Sequence, residues 1–165
     1  MVHNVEKEIE LYAPMRAWLS KYLSDKYRGA NVVAIDTHAQ KLDIVLEQEG
    51  VLDEYPHIVG LGIQIDVLGL VRHKGKTDLV FIEAKKDKLN LHHLGQLWAY
   101  CKLCDPLEAF LLSSVDIGSL NKVLVNLARE DLLDIGDGRH IKKMQVGKWD
   151  LIKNAVDLSS LVPQI

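Results

Sequence analysis

The chain is poor in most of the devices that stand in for a hydrophobic core. Among 165 residues there are only two cysteines, Cys101 and Cys104, too few for a disulfide framework. Internal repeats, low-complexity tracts and Pro/Gly/Ser linkers are absent, and there are only four prolines. That pattern predicts a single domain over 1–165. Long apolar runs are also missing. The longest stretch free of Asp, Glu, Lys and Arg in the central helix candidate is Leu89 to Cys101, and Asn90, His92, His93 and Gln96 interrupt it. A membrane-spanning helix needs about 20 apolar residues. Near the start, His3, Glu6, Lys7, Glu8 and Glu10 stand where a secretory leader requires an apolar stretch, so the expectation is a cytoplasmic protein with no membrane partner. There is no excess of positive charge either: 20 Lys+Arg face 23 Asp+Glu, a net charge of −3. This argues against a general coat for polyanions but leaves a local basic face open.

With 48% hydrophobic and 26% charged residues, the composition is that of an ordinary globular domain. Val5, Ile9, Tyr12, Leu19 and Leu23 follow helical spacing and predict a first helix over 4–25, with Pro14 awkwardly placed. Strands are expected at Asn31–Asp36 and Leu42–Leu46, the latter inside an acidic stretch, Asp36 to Glu54, that carries six acids against Lys41 alone. Gly60–Val71 and Leu79–Lys85 read as two strands of a hairpin around Lys74-Gly75. Asn90 sits as a helix cap before Leu91, Leu94, Leu97, Trp98 and Cys101. A strand at Ala109–Ser113, a helix at Ile117–Arg129 and a strand at His140–Val146 complete the reading. The expected class is mixed α/β, a sheet flanked by helices with an α-β-β-β-α-β core over about 5–115 and a helix/strand extension over about 116–165.

The hairpin holds the chemistry. A two-residue turn at Lys74-Gly75 sets Asp66 directly across from Glu83, with Cβ atoms roughly 4.5–5.5 Å apart. A shift of one residue would break that pairing. Charged residues on one strand face are ordinarily its wet side, but these acids lie in strongly apolar strands. Two opposed carboxylates repel, and a divalent cation with oxygen ligands at roughly 2.0–2.6 Å relieves the repulsion. Lys85 shares the face of Glu83.

Asp66, then Glu83-Ala84-Lys85 seventeen residues on, resembles the D…(D/E)xK signature of the PD-(D/E)XK nuclease superfamily, with Ile65 where the family name has proline. Gln96 to Tyr100 resembles the QxxxY element of its RecB-like branch, and Glu8 to Tyr12 that branch's first-helix glutamate segment. The resemblance implies a restriction-endonuclease-like fold and metal-dependent hydrolysis of phosphodiesters. It also implies that Asp66, Glu83, the Ala84 backbone carbonyl and Glu8 hold Mg²⁺ (or Mn²⁺), with Lys85, Gln96 and Tyr100 completing the catalytic set. Glu6 and Glu10 compete with Glu8 for the first-helix role. A lysine beside two carboxylates stays protonated, which favours orienting the water over acting as its base.

Other signals have plainer readings. Cys101 continues an apolar helix stripe and no second cysteine pair exists, so both cysteines belong to the core. His92 and His93 read as surface or capping residues. Gly60-Leu61-Gly62 has no third glycine and no following helix, which rules out a dinucleotide fingerprint. Arg72, Lys74 and Lys76 on the hairpin turn, and Lys86 and Lys88 after the second strand, are candidate phosphate contacts if they flank the acids. Arg139, Lys142, Lys143 and Lys148 form a further basic run. The expected function is a DNA nuclease, with RNA the lesser choice, serving repair, recombination or defence as a homodimer or a subunit of a larger complex. The alternatives are a catalytically dormant nucleic-acid-binding or scaffold subunit of the same fold, and a structural domain whose motif is coincidental.

Overall fold

The computed structural model describes residues 4–164. A 3-10 turn, Glu8–Leu11, runs directly into helix α1, Tyr12–Lys26. Pro14 falls in the first turn of α1, where its missing N–H removes no intrahelical bond. The buried stripe is Leu11, Met15, Leu19 and Leu23, whereas Ile9 is exposed. Strand β1 is Asn31–Asp36, as expected. The next expected strand is instead a helix, α2, Leu42–Gln48. Leu42, Val45 and Leu46 are its buried residues, at one-turn spacing that a short β-branched run conceals.

The first hairpin strand is shorter than the apolar run suggests. Gly60 and Gly62 take φ of 78° and 70°, breaking extended backbone, so β2 begins at Val67 and ends at His73. The break also divides the run between the two sides of the sheet. Ile63 and Ile65 join one core cluster and Val67 the other. Strand β3 is Lys76–Lys85. Lys74 and Gly75 both have positive φ, 53° and 73°, the geometry of a two-residue primed turn that suits hairpin twist. The ladder then pairs His73 with Lys76 through to Val67 with Ile82.

Helix α3, Leu91–Cys104, is capped by Asn90, whose Oδ1 accepts from the His93 N–H at 3.0 Å. Strand β4 is Glu108–Ser113. The expected helix at 117–129 is reduced to a turn with a π segment at Lys122–Asn126, and Ala128 turns away at φ 53°. Of the expected strand at 140–146, Lys143 makes one bridge to Asp134, and β5 proper is Gln145–Asp150. Sequence reasoning missed β6, Ala155–Val162.

The six strands form one mixed sheet in the order β1 to β6. Neighbours are antiparallel except β3–β4 and β4–β5, which are parallel. One face packs against α1 through Val67, Val80, Ile82, Ala84, Phe110 and Leu112. The other packs against α2 and α3 through Leu68, Leu70, Phe81 and Leu111. β3 is therefore covered on both faces. The order α1-β1-β2-β3-α3-β4 supplies the anticipated core, with α2 inserted between β1 and β2. Because α3 is the crossover between two parallel strands, it starts beside the ends of β3 and β4, where side chains from several elements converge. Among the described residues, no helix is long and apolar enough to cross a membrane.

Candidate active site

Asp66 lies one residue ahead of β2, opposite Glu83 near the end of β3. Two bonds tie the pair together. The Asp66 N–H donates to Glu83 Oε1 at 3.3 Å, and the Ala84 N–H donates to Asp66 Oδ2 at 2.9 Å. Glu83 is only 6% exposed. Burial pushes its carboxyl well above the usual carboxylate range and the charge of Asp66 pushes it further, against the pull of Lys85. Burial likewise raises Asp66, opposed by the Ala84 N–H and Lys85 and aided by Glu8. Lys85 makes no direct ion pair to either acid among the described residues, so it acts on both through space.

Three acids competed for the first-helix position, and their geometry differs. Glu8 Oε2 accepts from the Lys86 N–H at 3.2 Å, which brings that carboxylate to the end of β3. Glu10 folds back to accept the Lys7 N–H at 2.8 Å, and Glu6 meets Lys86 Nζ only through its backbone carbonyl. Glu8 is thus the acid beside the pair.

α3 contributes differently from the expectation. Gln96 is exposed, and Tyr100 is half-buried against the core on the α3 side. Among the described residues neither hydrogen-bonds to Asp66, Glu83 or Lys85. The α3 side chain that feels Lys85 and Glu8 is His93. Burial, Lys85 and His92 lower its pKa, while Glu8 and Asp87 oppose them. Its Nδ1 is buried without a hydrogen-bond partner among the described residues.

The candidate phosphate contacts separate into two groups. Lys86 and Lys88 follow the end of β3 that carries Glu83. Lys76 starts the same strand seven residues before Glu83, about 23 Å away at roughly 3.3 Å per residue, with Arg72 and Lys74 at that same far end. Arg72 pairs with Glu49 at 2.9 Å and Lys76 with Asp78 at 3.4 Å. The hairpin cations therefore do not flank the acids.

Three residues beside the site were not singled out from the sequence as site residues: Tyr12, Asp36 and His38. The Tyr12 hydroxyl is pushed up by burial first, and then by the charges of Asp66, Glu8 and Glu83. Its ring stacks on His38 at 4.6 Å between centroids. It closes the Glu8–Tyr12 segment, but an aromatic at helical spacing reads as core rather than as a site residue.

The chain matches no family model, no curated protein and no solved structure.

Chemically, the centre offers a buried carboxylate, Glu83, and a half-buried one, Asp66, neither with a direct cationic partner, with the Ala84 backbone carbonyl next to Glu83 in sequence and the Glu8 carboxylate at the rim. No group of three or more His, Cys, Asp or Glu among the described residues is arranged to hold a metal ion. The donor set is nonetheless all oxygen, which suits a hard divalent cation that keeps several waters. Two raised carboxyls with an adjacent lysine also suit general acid–base work.

Proposed function

We propose that the chain is a Mg²⁺- or Mn²⁺-dependent DNA nuclease with a restriction-endonuclease-like core of PD-(D/E)XK type. The observation that carries this reading is the pair of half-buried Asp66 and buried Glu83, joined by two hydrogen bonds, with Lys85 on the adjoining position of the same strand face. A merely structural sheet gains nothing from opposed carboxylates inside its core. In this reading Asp66, Glu83 and the Ala84 carbonyl hold the cation, with Glu8 reaching it from the rim. A cation held there would supply charge neutralisation at the phosphate and Lewis acidity toward the attacking water. Lys85 orients the attacking water and stabilises the transition-state charge. Lys86 and Lys88 meet backbone phosphates beside the scissile bond. Gln96 and Tyr100 act only if substrate brings them inward.

The exposed, unconnected Gln96 and the two-carboxylate donor set favour one second reading, a dormant nucleic-acid-binding or scaffold subunit of the same fold. Incubation with single-stranded, duplex and branched DNA in Mg²⁺ or Mn²⁺ separates the two. Cleavage by the wild type that Asp66→Ala and Lys85→Ala abolish supports the nuclease. Equal cleavage by all three proteins identifies a contaminant and sinks it, and binding without cleavage selects the dormant subunit.

A further inference from the structure

The end of β1 carries a charged pair that the acid centre does not use. Asp36 is the last residue of β1 and pairs with Val67 in the ladder, so the loop that follows passes next to Asp66. Thr37 fixes that loop: its N–H donates to the Asp66 carbonyl at 3.0 Å and its hydroxyl to the Ile65 carbonyl at 2.5 Å. His38 comes next. Its Nδ1 is 2.5 Å from Asp36 Oδ1, and Asp36 Oδ1 also accepts the His38 N–H at 3.2 Å. Tyr12 of α1 stacks on the ring at 28°. Gln64 Nε2 donates to the His38 carbonyl, and Lys41 Nζ donates to Gln64 Oε1 at 3.1 Å. The imidazole is thus fixed from the strand and the helix, and the His38 backbone from the loop before β2. Its Nδ1 is occupied by Asp36, and its side chain is 32% exposed, which leaves Nε2 as the nitrogen free for exchange.

Position across the sheet gives this pair a direction. In the strand order His38 follows β1, Asp66 precedes β2, Glu83 and Lys85 end β3, and His93 opens the helix after β3. In strand order Asp66 therefore stands between His38 and the β3 side chains Glu83 and Lys85. In-line displacement at phosphorus puts the attacking and leaving oxygens on opposite sides.

We propose that His38 is the proton donor to the leaving oxygen, with Asp36 and Tyr12 as its positioning residues. This rests on the nuclease reading above. Water oriented from the Lys85 flank bonds to phosphorus and releases its proton to solvent. The bond from phosphorus to the leaving oxygen breaks, its electron pair stays on that oxygen, and the His38 Nε2 proton neutralises it. Solvent then reprotonates the exposed imidazole. The charged and titratable groups around the ring are Asp36 on its own strand, Tyr12 on α1 and Lys41 through Gln64, with Asp66, Glu8 and Glu83 beyond the Tyr12 ring.

The test compares two leaving groups. DNA releases an alkoxide that needs a proton, whereas a nitrophenyl phosphodiester of thymidine releases a nitrophenolate that does not. His38→Ala is expected to slow DNA cleavage by about 100-fold or more, within the range for a lost general acid, and to slow the nitrophenyl ester by less than about threefold. Added imidazole restores part of the rate of His38→Ala on DNA. Asp36→Asn is expected to slow DNA cleavage while leaving the nitrophenyl ester within about threefold. His38→Gln, which preserves polarity, guards against a folding defect and is expected to show the same split between substrates. An equal loss on both substrates would falsify proton donation, as would no loss on either while the wild type is active. If the wild type cleaves neither substrate in Mg²⁺ or Mn²⁺, the nuclease reading and this inference fall together.

Discussion

The two ends of the β2–β3 ribbon carry the same kinds of charged side chain and treat them in opposite ways. At the turn, Arg72 and Lys76 sit on exposed or half-exposed backbone and each finds a carboxylate, Glu49 at 2.9 Å and Asp78 at 3.4 Å. At the other end Glu83 is buried and Asp66 half-buried against it, and no cation reaches either by direct contact among the described residues. The first arrangement is cheap surface electrostatics. The second raises the free energy of the fold at neutral pH, and such uncompensated burial marks a site that awaits a ligand or a proton.

The largest expected effect comes from breaking the costly end. Asp66→Asn or Lys85→Ala should lower DNA cleavage by at least about 100-fold while the fold is retained, because each removes a group acting on transition-state charge or on the cation. Single-turnover cleavage beside a circular dichroism spectrum checks this, and a change of under about threefold in either variant would count against the site.

Next in size is stability without metal. Both carboxyls are raised above their ordinary range, so the folded state holds their protons more tightly than the unfolded chain does. Their contribution is fully present below the ordinary carboxylate range and is lost as pH rises through the raised values. Without divalent cations the protein should therefore melt at a higher temperature near pH 5 than near pH 8, and Mn²⁺ should restore the loss at pH 8. Glu83→Gln should stabilise the metal-free protein by roughly 1–2 kcal/mol, or about 2–8 °C. It should also flatten the pH dependence and abolish the Mn²⁺ shift. Melting in chelator against melting in Mn²⁺ decides it; a destabilised, still Mn²⁺-responsive variant would show that the pair is not in conflict.

The ribbon also shows how far a sequence can be read. The Lys74-Gly75 turn and two alternating runs were enough to place Asp66 opposite Glu83, because hairpin register follows from turn length. The α-β-β-β-α-β order was legible for the same reason: local periodicity and caps such as Asn90 mark each element. What failed was whatever tertiary packing decides. Leu42, Val45 and Leu46 fit a short helix as well as a strand, and Gly60 and Gly62 halted a strand that hydrophobicity alone would extend. The neighbours of the site, Tyr12, Asp36 and His38, come from elements remote in sequence and carry no local signal that sets them apart as site residues. Lys74 and Lys76 lie as near in sequence to Glu83 as Lys88 does to within a few residues, yet an extended strand carries them some 20 Å or more away.

That separation yields the next contrast. If substrate lies at the acid end, Lys86→Ala with Lys88→Ala should weaken DNA binding by about tenfold and lower the salt slope by about one to two, as expected for one or two lost phosphate contacts. Changing Lys74 and Lys76 together should alter affinity by less than about threefold. Binding isotherms at several salt concentrations measure both, and the reverse ranking would place the substrate at the hairpin tip.

The smallest effect is expected at the turn itself. Gly75 has φ of 73° with open space where a Cβ would stand, so Gly75→Ala meets no neighbour and pays only for a left-handed backbone, about 1 kcal/mol. The register is held by seven residue pairs along the ladder and by burial of both faces of β3, which a strained turn does not outweigh. The variant should melt a few degrees lower, and each folded molecule should cleave DNA at the wild-type rate. A loss of cleavage larger than the loss of folded protein would show that Asp66 and Glu83 depend on the turn for their alignment, and the two ends of the ribbon would then be one functional unit.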